Sequence, residues 1–313
     1  MVANVQTMMF VGKEPWHGQG VKLDNPATAE EAIVAAGLDW KVEKKALQTV
    51  DGSPVNCAFA NVRQDNGKIL GVVGERYTIL DNKSAFSFFD AIVGTKEAVY
   101  HTAGALGEGE RIWILAKLPG QIRVVGDDIV DKYLLLSNSH NGSSTVNMMW
   151  SNIRVVCSNT LNVAISTATN IQRLRHTASM GMRIDDVRKN LGIIAGYNAE
   201  FERLSQAMTN IQLTKNQFNK YLQEIGIVTP DEDNKLSTRA ENILNDVTTL
   251  FEHGKGNDMQ GVKGTLWAGY NAITEYVDYV RVSRNEGNRA ESLLYGSGAR
   301  LKQSAWNSAV SLL

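Results

Sequence analysis

Between Asp131 and Asp185 the chain has no carboxylate, yet it holds Lys132, Arg154, Arg173, Arg175 and Arg183 together with His140 and His176. Serine, threonine and asparagine fill much of the remaining window, as in SNSHNGSSTVN and CSNT. Cationic side chains neutralise phosphate charge, and hydroxyls and amides add hydrogen bonds, so this mixture suits contact with a phosphate backbone. Trp113, Tyr133 and Trp150 are close in sequence. Their rings would stack on bases or pack behind a binding groove. A plainer arrangement has the same composition: apolar strands that exclude acids, with arginines on a solvated rim.

Arg154 is the sharpest case. In IRVVC it alternates with Ile153 and Val155, so a strand would turn it to the opposite face from them. A solvated edge charge, a buried ion-pair partner and a phosphate ligand are the three readings, the first being the commonest. Cys157 would need a histidine base, His140 or His176, and a third orienting group to act as a nucleophile. Nothing in the spacing supplies these, and a structural thiol is favoured. His17 in EPWHGQG reads as a packed or capping residue. GALGEGE lacks the Gly-Lys-Ser/Thr ending of a P-loop. Asp127, Asp128 and Asp131 would suit a metal, but GDD before a strand is more commonly a turn. HExxH, paired CxxC and GxSxG are absent from the sequence. An enzyme is therefore the less supported class, and no catalytic residue, metal or cofactor is expected.

These residues must be positioned by local elements. Residues 1–41 read as an arm plus one short helix, opened near Pro26 and capped by Thr28 with Glu31. Ile33, Val34 and Leu38 would face inward. From 42 to 80, three runs separated by DGSP and QDNG read as an antiparallel meander. A helix should start at Asn82 and end at Gly94. Strands resume with AVYHTAGAL, RIWILAKL, IRVV and KYLLLSNSH, separated by GEGE and PGQ, with NGSS following. IRVVC ends a further strand, and Ser158 or Asn159 would cap a helix over NTLNVAISTATNI. Beyond 184 the spacing is helical: Ile184, Val187, Leu191, Ile194, Phe201, Leu204 and Met208 share one long face. Thr214 with Gln217 and then Ser237 cap later helices, and VTPDEDNK and HGKGNDMQG read as flexible breaks. The fold class is α+β: a curved antiparallel sheet with crossing helices over 42–183, then a mainly helical region over 184–313.

With 313 residues, 43% hydrophobic and 21% charged, the chain reads as globular. The formal net charge of −1 confines any polyanion site to a local patch. Cys57 and Cys157 are too far apart for a zinc spacing and read as buried reduced thiols in a cytoplasmic protein. No run approaches the ~18–20 apolar residues of a membrane span, and the opening residues do not read as a secretory signal.

Several stretches, in order, carry a resemblance: EPWHGQG, GERYTILDN, DKYLLLSNSHNGSSTV, IRVVCSNTLNVA, RLRHTASM and GTLWAGYNAITEYVDYVR. Together they resemble the phage/plasmid-like protein family catalogued as a domain of unknown function (nine-three-two), across residues 10–310. The resemblance implies an origin in phages, prophages or plasmids. The family's core is more distantly similar to Rad-fifty-two-type single-strand annealing proteins. That likeness implies binding of single-stranded DNA in a basic groove, assembly into rings or filaments, and no catalytic residue. On this reading Lys132, Arg154, Arg173, Arg175, His176 and Arg183 touch the nucleic acid, and Trp113, Tyr133 and Trp150 stack or pack behind it. Strand annealing or recombination without nucleotide hydrolysis is the expected function. The alternative is a phage-encoded factor that binds a host protein and inhibits or redirects it.

Overall fold

Turn residues and side-chain alternation account for most of the strands. The computed structural model describes residues 5–12, 18–25, 27–93, 99–154, 156, 159–161, 171–180, 184–233, 235–282, 292–293 and 296–313. Strands β3 (Val42–Gln48), β4 (Pro54–Arg63) and β5 (Ile69–Gly74) form the expected antiparallel meander as a separate three-stranded sheet. Gly52 and Gly67 take positive φ at its two turns, as DGSP and QDNG require. Cys57 lies exposed on β4, which corrects the reading of a buried thiol; Cys157 lies outside the described residues.

The larger sheet has eight strands. They are β1 (Val5–Val11), β2 (Val21–Leu23), β6 (Val99–Leu106), β7 (Arg111–Val125), β8 (Asp128–Ser139), β9 (Val146–Arg154), β10 (Asn159–Leu161) and β11 (Ile171–Leu174). Their order is β10-β9-β8-β7-β6-β1-β2, with β11 also paired to β9. The sheet is mixed, because β1 and β2 run parallel. Three expectations change here. The N-terminal arm supplies β1, which pairs with β6. PGQ does not separate two strands: β7 runs through it, with Pro119 exposed and Gly120 at φ +73. Asn159–Leu161 is a strand paired with β9 rather than the start of a helix, so backbone pairing overrides the capping pattern.

Helix α1 (Ala29–Ala35) has the Thr28/Glu31 capping box. Its end is a Schellman turn: Gly37 at φ +63 donates to Val34 O, and Leu38 N–H reaches Ile33 O. Leu38 is buried as expected, but Val34 faces solvent. Helix α2 (Asn82–Val93) is capped by Asp81, whose carboxylate accepts from Ser84 N–H, and buries Phe86 and Phe89 beside Tyr100. Helices α3 (Ile184–Thr209), α4 (Lys215–Glu224), α5 (Thr238–His253), α6 (Leu266–Glu275) and α7 (Ser297–Ser311) follow. Thr214 with Gln217 and Ser237 cap α4 and α5 as the sequence predicts. A π-helical turn, Tyr276–Val280, continues α6.

The chain forms two compact units that interleave in sequence. The first comprises Met1–Pro119, Tyr133–Trp150 and Ile171–Ile193; the second comprises Gly120–Lys132, Ser151–Asn170 and Ile194–Leu313. Strands β7, β8 and β9 are long enough to begin in one unit and end in the other. In the second unit every residue of α6 is buried, so it is the central helix. Phe201 stacks on Trp306 with centroids 5.0 Å apart, and Tyr270 meets the Trp306 edge. Among the described residues no helix is long and apolar enough to cross a membrane.

Candidate functional site

In the first unit, parts of GERYTILDN, SNSH and RLRHTASM meet around residues 77–82. Asn82, at the start of α2, is fully buried. Its amide donates to Leu38 O at 2.9 Å and to Trp40 O at 3.4 Å. Its Oδ1 must therefore accept, and His140 Nε2–H supplies the bond at 2.9 Å. Asn61 Nδ2 donates to His140 O at 2.6 Å, and Asn138 Nδ2 donates to Leu80 O at 2.8 Å. His176 Nδ1–H bonds Thr78 O at 3.1 Å while its ring stacks on Tyr77, 4.4 Å between centroids. Tyr77 in turn donates to Ser139 O at 2.6 Å.

This arrangement leaves one kind of atom over. The second ring nitrogen of each histidine, His140 Nδ1 and His176 Nε2, is a lone pair once its partner carries the proton. These two, with Asn61 Oδ1 and Asn138 Oδ1, are buried acceptors without a donor in the structure. Buried polar atoms are normally paired, by protein groups or by ordered water. Both histidines are neutral at ordinary pH. Burial pushes the His140 imidazole down to about 3, with the His176 ring adding to the effect and Asp81 opposing it. Burial also lowers His176, against the Thr78 carbonyl bond.

Arg173 and Arg175 flank this centre on the outside. Arg173, on β11, and Arg175, just past its end, are exposed, whereas Leu174 and His176 are buried. Both guanidinium groups thus meet solvent, and Arg173 pairs opposite Asn147 of β9. His176 is turned inward, neutral and bonded to backbone, which corrects its reading as a direct nucleic-acid contact. The aromatic residues are also packed inward. Tyr133 and Trp150 are buried. Trp113 is half-buried against Val5, Met8 and Phe10, donates to Thr102 Oγ1 at 3.3 Å, and covers Gly104 so closely that a Cβ has no room there. They pack rather than present free faces. Arg183 and His17 lie outside the described residues.

The second unit holds Lys132 and Arg154. Lys132 is half-buried beside Gly120. Arg154 is fully buried, and all five of its N–H donors are used. Nε and Nη2 grip Asp128 at 2.7 and 2.8 Å, Nη2 also reaches Gly256 O at 2.9 Å, and Nη1 reaches Asn257 Oδ1 at 3.1 Å and Lys255 O at 3.3 Å. Trp267 Nε1 also donates to Asp128 Oδ2, the oxygen held by Arg154 Nη2, at 2.7 Å. With no donor left for a phosphate, Arg154 is the buried ion-pair partner among its three readings. GDD makes the expected turn at Gly126 and Asp127, and Asp128 opens β8 as an ion-pair acid. One further expectation changes. HGKGNDMQG is no loose break: Gly256, at φ +77, closes on Val156 with no room for a Cβ, and its neighbours close around Arg154. Sequence reasoning missed Asn257 and Trp267. The available signal was an arginine in an apolar strand, which needs a buried acid, with GDD opening the neighbouring strand.

The family described as Domain of unknown function (DUF932) matches residues 69–294. The chain belongs to that family. The DUF932 span contains Tyr77, Asn82, Asn138, His140, Arg173, Arg175 and His176, as well as Arg154 and Asp128. No curated protein and no solved structure matches the chain.

Proposed function

We propose that this DUF932 protein binds a single nucleic-acid strand along the outer face of β11, with Arg173 and Arg175 holding successive phosphates. The observation that carries the reading is the exposed pair of arginines, Arg173 on β11 and Arg175 just beyond it, in an acid-free window. A strand held by its backbone keeps its base edges free to pair, so annealing or recombination without nucleotide hydrolysis is the activity this mode of binding serves. It also needs several subunits side by side, which makes self-association part of the proposal.

Fluorescence anisotropy with a labelled single-stranded oligonucleotide across a salt series tests it. The logarithm of affinity should fall against log salt by about 0.7 per phosphate held, and Arg173→Ala/Arg175→Ala should remove about 1.4 from that slope. No binding at low salt by a folded sample would overturn the reading and direct attention to a protein partner instead.

A further inference from the structure

The second unit contains a cavity of about 930 Å³ with no counterpart in the reading so far. Three arginines line it, Arg239 near the start of α5, Arg281 just after the π-helical turn and Arg300 on α7, against a single carboxylate, Asp246. None of the three has an ion-pair partner among the described residues. Cavities of this size are in the range of small-molecule sites. Such a surplus of guanidinium suits a ligand with more than one negative charge, because the planar fork matches phosphate oxygens.

Three features set the backbone positions from which these side chains reach the cavity. The π-helical turn, closed by Arg281 N–H on Tyr276 O at 2.7 Å, brings Tyr276, Val280 and Arg281 to the cavity wall. Such insertions in an α-helix are frequent at functional sites. The buried Lys302–Asp278 pair, 2.8 Å long, ties the same turn to α7 and so sets Arg281 relative to Arg300. Helices α5 and α7 both begin on the cavity, at Thr238 and Ser297, and their positive ends add to the arginine field. Beside the charges, Ile243, Leu301 and Tyr276 give an apolar wall.

We propose that this pocket binds a small phosphorylated ligand of nucleotide type, with its phosphates on Arg239, Arg281 and Arg300 and its flat apolar part against Ile243, Leu301 and Tyr276. The site is separate from the strand contact of Arg173 and Arg175 and does not depend on it.

Isothermal titration of the full chain with ADP, inorganic pyrophosphate and adenosine at low salt tests the proposal. ADP should bind one per chain, pyrophosphate more weakly, and adenosine weakest. Arg281→Ala or Arg300→Ala should each weaken ADP by about ten-fold or more, the size expected for one lost charged hydrogen bond. Arg173→Ala/Arg175→Ala should leave ADP binding unchanged. Thermal melting confirms that each variant is folded; if Arg281→Ala is not, the exposed Arg300→Glu replaces it. The proposal is overturned if ADP does not bind at millimolar concentration, if adenosine binds as tightly as ADP, or if the arginine variants reduce oligonucleotide binding but leave ADP untouched.

Discussion

Two buried polar centres, one in each unit, are built in opposite ways. In the second unit, the Arg154–Asp128 ion pair has every guanidinium hydrogen placed, and the carboxylate is also held by Trp267. In the first, the buried groups around Asn82 are neutral and only half satisfied, with four acceptors left over. An ion pair in the interior must be completed by hydrogen bonds because desolvating the charges is costly. A neutral amide or imidazole costs far less to bury, so it can be left partly open. A completed polar centre does structural duty. The neutral centre keeps acceptor capacity to spare, and the exposed arginines stand on the same chain segment as its His176.

This contrast can be broken at its strong end first. Asp128→Ala leaves the Arg154 charge buried without its partner and should cost about 3–5 kcal/mol in urea unfolding. The double variant Asp128→Ala/Arg154→Met should cost well under the sum of the two single changes; additivity would mean that the two side chains act independently. Asn82→Ala strips two carbonyls and the His140 N–H of their partners and should cost about 2–3 kcal/mol, less than the ion pair. The pH dependence comes next. The unfolded His140 takes a proton near the ordinary value of about 6.5, whereas the folded one refuses it until about 3. Between those values protons favour the unfolded chain, so stability falls by about 1.4 kcal/mol per pH unit on acidification from this group. His140→Gln should flatten that slope in a series of unfolding midpoints. The smallest effect belongs to Arg173→Ala/Arg175→Ala, which should change stability by under about 0.5 kcal/mol, since both groups are exposed. A large loss there would make the pair a structural feature, like Arg154.

Local order was legible in the sequence. The Thr28, Thr214 and Ser237 caps, the β3–β4–β5 meander and the buried Phe201, Leu204 and Met208 of α3 follow from capping chemistry, turn residues and periodicity. These signals act within a few residues and survive without tertiary context. The candidate site was legible only in part: its segments were marked by the family resemblance, but SNSH read as a strand end rich in groups for phosphate contact, whereas its asparagine and histidine are buried. Asn159–Leu161 was misread because a Ser/Asn step before apolar residues fits a helix start as well as an edge strand.

Charge sign and residue type in the window from 131 to 185 were fixed by the sequence alone, and so was a chain able to build an α+β fold. Which arginine meets solvent was not. Arg154 and Arg173 both lie on strands next to apolar residues, and only the fold gives one a buried carboxylate and the other an open face. The reason is sequence separation. Asp128 lies 26 residues from Arg154 and Asn257 lies 103, distances over which no local pattern carries information. Packing alone settles which polar groups find each other.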